Sequence, residues 1–222
     1  PEYLPVILAL LSTGESARMS SLTSMATIGI VSGPVRTEIG MNAGIGALGP
    51  FNHANATIGR AFAMGSANLQ GGADPGDTYM GTLGNSYNYS AVYPENEEAS
   101  PWEPLHVPLG YSPDQSVVSA FIGGWNTIQF VGPRTSRWEQ IDTTALEALG
   151  GWMPPLAIMD PRVATDFSEA GYDKMKLAEW MADHSTYAAD QIEVVVIGGN
   201  TSAYAKLISA RRIATASVDA WR

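Results

Sequence analysis

Cysteine is absent from all 222 residues. Its absence excludes disulfides, thiolate nucleophiles and cysteine-ligated metals, so any thiol chemistry has to come from a partner. Histidine is almost as scarce: His53, His106 and His184 are the full set. No H-E-x-x-H or comparable spacing joins them, and a metal would have to combine His53 and His106 with a glutamate across a wide sequence separation. No metal is therefore assigned. The G-x-S-x-G turn of a serine hydrolase is missing too. Charged residues make up only 15% of the chain, and the net charge is −10. With no cationic surface to neutralise phosphates, nucleic-acid binding is excluded as a class. Of the twelve cations only Lys174, Lys176 and Lys206 are lysines; the arginines suit planar, bidentate recognition of carboxylate or phosphate. No apolar run approaches the roughly 18 residues that cross a bilayer, so no membrane contact is expected and a cytoplasmic location is. The opening "PEYLPVILALL" lacks both an initiator Met and the basic flank of a signal peptide, so Pro1 reads as the start of what was kept from a longer product.

What is present is a packed chain, 45% hydrophobic, and a single α/β domain over residues 1–222 is expected. "PEYLPVILALLST" reads as a short helix with proline in its first turn. "SMATIGIVSGP" is β-branched and closed by Gly-Pro, the pattern of a buried strand and turn. Residues 55–69 read as a helix stopped by "QGG", and "SVVSAFIGG" as a second strand. "TALEALGGW" reads as a helix. "PPLAIMD" reads as a strand feeding a helix capped by Asp160, with Pro161 in its first position. "YDKMKLAEWMADHSTYAA" is amphipathic, with Met175, Ala178 and Trp180 or Met181 on one side. His184 ends that helix, where a cation suits the dipole. "QIEVVVIGGN" is the strongest strand, followed by a helix "SAYAKLISARRI" and a last strand "ATASV". Strand alternating with helix from Pro154 onward predicts a mainly parallel sheet with flanking helices. The turn-rich stretch 71–113 is read as a long loop insertion in the middle third.

"GIGALG", Gly44 to Gly49, spells the dinucleotide fingerprint G-x-G-x-x-G. A working fingerprint needs a strand ending at its first glycine and a helix starting inside it. Here "PVRTEIGMNA" separates the strand from the glycines, and Pro50 breaks the chain directly after Gly49, so NAD or FAD binding is not expected and no cofactor is identified. The glycines, with Gly44 and Gly46 foremost, instead form a loop running into a helix N-terminus, where backbone amides can approach an anion. Asn42, Asn52, His53 and Asn55 add hydrogen-bonding groups, and Arg36 and Arg60 add charge; a plain packing turn with asparagine caps is the alternative. Gly198-Gly199 makes a second turn at the end of the strongest strand, with Asn200, Thr201 and Ser202 as helix caps.

"ENEEASPWEPLH" sets Glu95, Glu97, Glu98, Glu103, Trp102 and His106 between stiffening prolines. Crowded carboxylates beside a tryptophan are candidates for raised pKa values, and Glu97, His106 and His53 are the candidate proton movers. A solvated acidic loop anchored by Trp102 is the competing reading.

Together, "VSGPVRTEIGMNAGIGALGPFNHANATIGRAF", "ENEEASPWEPLHV" and "IEVVVIGGN" resemble the bacterial UGSC-type (seleno)protein group, in the region that accompanies or follows its Cys/Sec module. The resemblance implies a thiol- or selenol-dependent enzyme, with Arg36, Glu38, Asn42, Asn55, Arg60, Glu97, Trp102, Glu103 and His106 at matching positions. This chain has no UGSC segment and no cysteine, so a Cys/Sec-containing partner or a missing segment would supply the thiol. The expected function is an enzyme domain or subunit, a reductase, lyase or hydrolase, that binds a small anionic or carbonyl-bearing substrate. A non-catalytic structural subunit is the alternative. Tyr79, Tyr87, Tyr89, Tyr93 and Trp102 are residue types enriched at interface cores, so a homo-oligomer covering the 71–113 loop is expected.

Overall fold

Six runs of β-branched and apolar residues form the strands: β1 (Ala26–Ser32), β2 (Val92–Pro94), β3 (Val117–Val131), β4 (Pro155–Met159), β5 (Glu193–Val196) and β6 (Tyr204–Ser217). The computed structural model describes residues 1–14, 25–69, 74–77, 83–131, 146, 149, 152–201 and 203–222. All six strands join one sheet in the order β2-β1-β3-β6-β4-β5. The outer pairs β1/β2 and β4/β5 are parallel, while β1/β3, β3/β6 and β4/β6 are antiparallel. The sheet is therefore mixed rather than mainly parallel.

The difference comes from one segment. Residues 204–213 of the segment expected as a helix, together with 214–217 of the short strand expected after it, form the single 14-residue strand β6. Its Ala, Leu, Lys and Arg residues are good helix formers, but β3 on one side and β4 on the other take its backbone hydrogen bonds, and that pairing overrides propensity. Apolar residues occupy both of its faces, which hides the period-2 signal.

The strand order is a palindrome. In each half a strand leads through helices to a parallel neighbour, and then into a long antiparallel strand at the centre. In the first half the helices are α2 (Val35–Glu38) and α3 (His53–Leu69), after the N-terminal α1 (Leu4–Ser12); in the second they are α4 (Pro161–Glu169) and α5 (Lys174–Asp183). No sequence repeat announces this internal symmetry.

Every strand contributes to one buried cluster, including Ile28, Ile30, Tyr93, Phe121, Ile158, Val195 and Ile208. The sheet curls around it until its edges touch, where the Asn96 amide donates to the Val196 carbonyl at 2.7 Å. Outside, Val31, Val92 and Val118 pack on α1 and α3, while Met159, Val196 and Leu207 pack on α4 and α5. Three layers result, helix, sheet and enclosed core, as amphipathic elements require.

The other expectations fare unevenly. Asp160 caps α4 by accepting from the Val163 amide at 2.9 Å, with Pro161 in the first turn. In α5 the buried side chains are Leu177, Ala178 and Met181, and Met175 is 58% exposed; the helix starts at Lys174, capped by Asp173, which rotates Met175 to the solvent side. The stretch 71–113 contains β2 at the sheet edge, and most of the "TALEALGGW" expectation lies outside the described residues. Tyr93 is buried, Tyr87 bonds Thr127 at 2.9 Å, and Tyr89 is exposed under the Arg60 guanidinium, 4.7 Å from its ring. Tyr79 lies outside the described residues.

Curling needs a bend in β3, and Gly123 supplies it. Its φ is 145°, and a Cβ there would sit 2.1 Å from the Ser209 carbonyl oxygen, next to a register shift between β3 and β6. Such a bulge in a strand interior marks a close backbone approach. Gly123→Ala is expected to cost about 2 kcal/mol or more in urea unfolding, whereas Gly40→Ala, in open space at positive φ, should cost about 1 kcal/mol.

Candidate functional site

The glycine loop is held by asparagines. Asn42 donates to the Ile45 carbonyl at 2.9 Å and to Asn52 Oδ1 at 2.6 Å, and its own Oδ1 accepts the Gly44 amide. Asn52 donates to the Gly46 and Ala47 carbonyls. The buried Asn55 accepts the Asn42 amide and donates to the carbonyls of Asn42 and Ala47. These side chains are consumed in shaping the loop.

The loop closes on the second glycine turn. The Gly198 amide donates to the Ala43 carbonyl at 2.8 Å, and a Cβ on Gly199 would lie 2.8 Å from the Ile45 nitrogen. Two backbones thus run in contact, and only glycine fits at position 199. The next described element after this turn is β6, not a helix, so Asn200 and Thr201 do not take the helix-capping role expected of them.

Between the turns lies a cavity of about 340 Å³, lined by the Ile45–Gly49 loop, Gly198, Gly199, Asp160, Gln129 and Lys206 among others. It sits at the carboxyl ends of the parallel strands β4 and β5, where open α/β sheets place ligands. Register puts Lys206 opposite Gln129 on β3 and Ile158 on β4, so all three share the sheet face that looks inward. The Lys206 ammonium lies 5.6 Å from the Tyr87 ring centroid and has no carboxylate partner among the described residues. The amides of Ile45, Gly46, Leu48 and Gly199 likewise have no protein acceptor among the described residues. Asp160 is occupied: its oxygens accept the Val163 and Tyr204 amides, the latter at 2.6 Å. Burial nevertheless pushes its carboxyl above the usual range.

A second polar assembly lies at the carboxyl ends of β1 and β2, the equivalent place in the other half. Glu95, fully buried, accepts from Ser32 Oγ and the Leu105 amide on Oε2, both at 2.9 Å, and from Lys174 Nζ on Oε1 at 3.0 Å. Glu97 accepts the Gly33 amide at 2.6 Å and pairs with Arg36 at 2.7 Å. Arg36, 2% exposed, also donates to the carbonyls of Gly33 and Glu95 and to both oxygens of Glu98. Burial pushes the Glu97 carboxyl up against the pull of the Gly33 amide and Arg36; the hydrogen bonds from Arg36 hold Glu98 below the usual range. His106 is fully buried, with Nε2 3.1 Å from the Ser112 carbonyl oxygen.

Asn96 joins the assemblies. Flanked by Glu95 and Glu97, it bonds Val196 through its amide and the Gly198 carbonyl through Nδ2 at 2.8 Å. The glycine loop and the acidic loop therefore meet through one turn, but they present different side chains. Of the residues singled out in the sequence, Gly46 lines the cavity. Arg36, Glu97 and His106 gather in the acidic assembly. Gly44, Asn42 and Asn55 build the loop. His53 bonds Tyr3 at the exposed start of α3, and Arg60 lies further along that helix. Trp102 donates to the Tyr172 carbonyl at 3.0 Å, anchoring its loop, and Glu103 is exposed. Lys206, Gln129 and Lys174 were not legible as site residues, and Glu95 stood out only as one of the crowded carboxylates. Reading 202–213 as helix hid the first, although lysine is rare enough here to have been a signal.

Lys174 and Glu95 form a largely enclosed ion pair, with side chains 17% and 0% exposed. Lys174→Met leaves Glu95 charged and half-satisfied in the interior and should cost about 3 kcal/mol in chemical denaturation. Glu98→Gln removes a carboxylate whose side chain is 61% exposed and should cost about 0.5 kcal/mol or less.

Scanned against protein-family models, the chain matches none, and a search of curated proteins finds no significant match. The likeness to the UGSC-type group rests on the three quoted motifs.

Proposed function

We propose that the chain is an enzyme domain or subunit that holds a small anionic or carbonyl-bearing substrate in the cavity between the Gly44–Gly49 loop and the Gly198-Gly199 turn. The observation that carries this reading is Lys206, a cation with no carboxylate partner among the described residues, set in a concave site beside backbone amides that lack acceptors. An ammonium and converging N–H groups complement a carboxylate or phosphate. Gln129 offers a neutral donor and acceptor for a second polar group, and Ile158 and Ile197 give the floor an apolar surface. Arg36 is spent on internal partners and leaves the anion to Lys206. Glu97 and His106 do not line the cavity, and proton transfer needs hydrogen-bond reach, so this reading assigns them to the acidic assembly. A thiol, if the reaction uses one, enters with a second chain or with a segment outside these 222 residues.

A panel of small carboxylates, 2-oxo acids and phosphates, titrated by isothermal calorimetry, tests the reading. At least one should bind, and Lys206→Met should weaken it at least tenfold while Arg60→Ala leaves it unchanged. Equal binding by wild type and Lys206→Met contradicts the assignment.

The same reading places the site near a subunit boundary, because Ile45 and Phe51, both on or next to the glycine loop, are 68% and 92% exposed. Light scattering at micromolar concentration should give at least a dimer; a stable monomer removes this part.

A further inference from the structure

We propose that Glu95, Glu97 and His106 form a binding site for one divalent transition-metal ion, independent of the anion cavity. One ligand atom from each of the three lies within 4.8 Å of the others. His106 supplies a second, separate observation. Its ring is fully buried, and its Nδ1 has no hydrogen-bond partner among the described residues. Nε2 faces the Ser112 carbonyl, which can only accept, so in the neutral ring the proton sits on Nε2 and Nδ1 presents a lone pair.

Acceptor positions then converge from the three residues. Glu95 Oε2 is saturated by Ser32 and Leu105, but Oε1 has a single partner, Lys174. Each oxygen of Glu97 also has one partner, the Gly33 amide or Arg36. Each of these three oxygens retains a vacant acceptor position, as does His106 Nδ1. A buried acceptor facing other acceptors is costly unless a cation or proton lies between them.

The surroundings have the form of a metal site. A ligating histidine typically donates its other N–H to a backbone carbonyl, and ligating carboxylates are themselves hydrogen-bonded; both conditions hold here. Three carboxylates, with Glu98, face only two cations, Arg36 and Lys174, so positive charge is in deficit. One imidazole with two carboxylates and no thiolate suits Zn²⁺, Mn²⁺ or Fe²⁺ better than Mg²⁺ or Ca²⁺. Donors about 2.1 Å from one ion stand roughly 3.4 Å apart in a tetrahedron, so the three groups close by no more than about an ångström and a half. The Lys174 ammonium competes for Glu95 Oε1, and its partly exposed chain can withdraw to solvent.

The experiment uses the full chain, freed of metal by dialysis against a chelator, with ¹⁵N-labelled histidine. Zn²⁺ and, separately, Mn²⁺ are titrated by calorimetry, and the three histidine rings are followed by NMR on adding Zn²⁺. The expected result is one ion per chain, with a shift of the His106 Nδ1 resonance alone and at least tenfold weaker binding in Glu97→Gln. Absence of 1:1 binding to the wild-type chain overturns the proposal. So does a response at His53 or His184 in place of His106, or a His106 Nδ1 found protonated and indifferent to the ion. The wild-type spectrum decides even if Glu97→Gln does not fold.

Discussion

Strands β3 and β6 pair antiparallel from Val117 opposite Ser217 to Val131 opposite Tyr204, interrupted near Gly123 where the register shifts. Each of these strands also carries its own parallel strand pair on its outer side. Two structurally equivalent halves are thereby fixed back to back, and the bend at Gly123 lets the outer pairs swing toward each other until Asn96 meets Val196. Without that long pairing neither polar assembly exists, because each is built where a parallel pair ends. The same pairing sets Gln129 beside Lys206 and points both inward.

The two assemblies use the same place in the fold for opposite electrostatics. At the ends of β4 and β5 a cation and backbone amides, without carboxylate or carbonyl partners among the described residues, surround open space. At the ends of β1 and β2 three carboxylates and two cations are packed so closely that Glu95, Arg36 and His106 are almost wholly removed from water. Burying charge is unfavourable unless each group keeps its partners, and here nearly every oxygen has one. His106 Nδ1 is the exception, which is why it draws a functional reading. Asn96 links the sites by hydrogen bonds: it bonds Val196 and Gly198, and the Gly198 amide in turn bonds Ala43 at the start of the glycine loop.

Local features were legible in the sequence. β-branched runs ended by glycine or proline marked β1, β4 and β5, and Asp160-Pro161 marked the start of α4, because these residues act through their own backbone. That no helix begins inside the Gly44–Gly49 motif was also legible, since Pro50 follows it directly, and α3 starts only at His53. β6 was not legible: it packs side chains on both faces, Ala205 and Leu207 toward the helices and Ile208 and Ala210 into the enclosed core, and its composition favours helix. That one segment concealed the mixed sheet, the palindromic order and Lys206 together. Glu97 and His106 stood out as a pair, but Gly33 and Arg36, which bond Glu97, and Ser32 and Lys174, which bond the neighbouring Glu95, come from two other stretches, brought together only by tertiary contacts. Asparagines in a glycine-rich loop signal hydrogen bonding without saying whether ligand or loop receives it; here the loop does.

The central claim is that an anion sits between the glycine loop and the Gly198-Gly199 turn, against Lys206. Backbone amide NMR during titration with the small carboxylate or phosphate that binds best tests this most directly, because it locates the ligand without a mutation. The account predicts that the largest shifts fall on the amides of Ile45, Gly46, Leu48 and Gly199, with smaller ones at Gln129 and Lys206. Shifts concentrated at the start of α3, around His53 to Arg60, with the Gly199 amide unmoved, would contradict it.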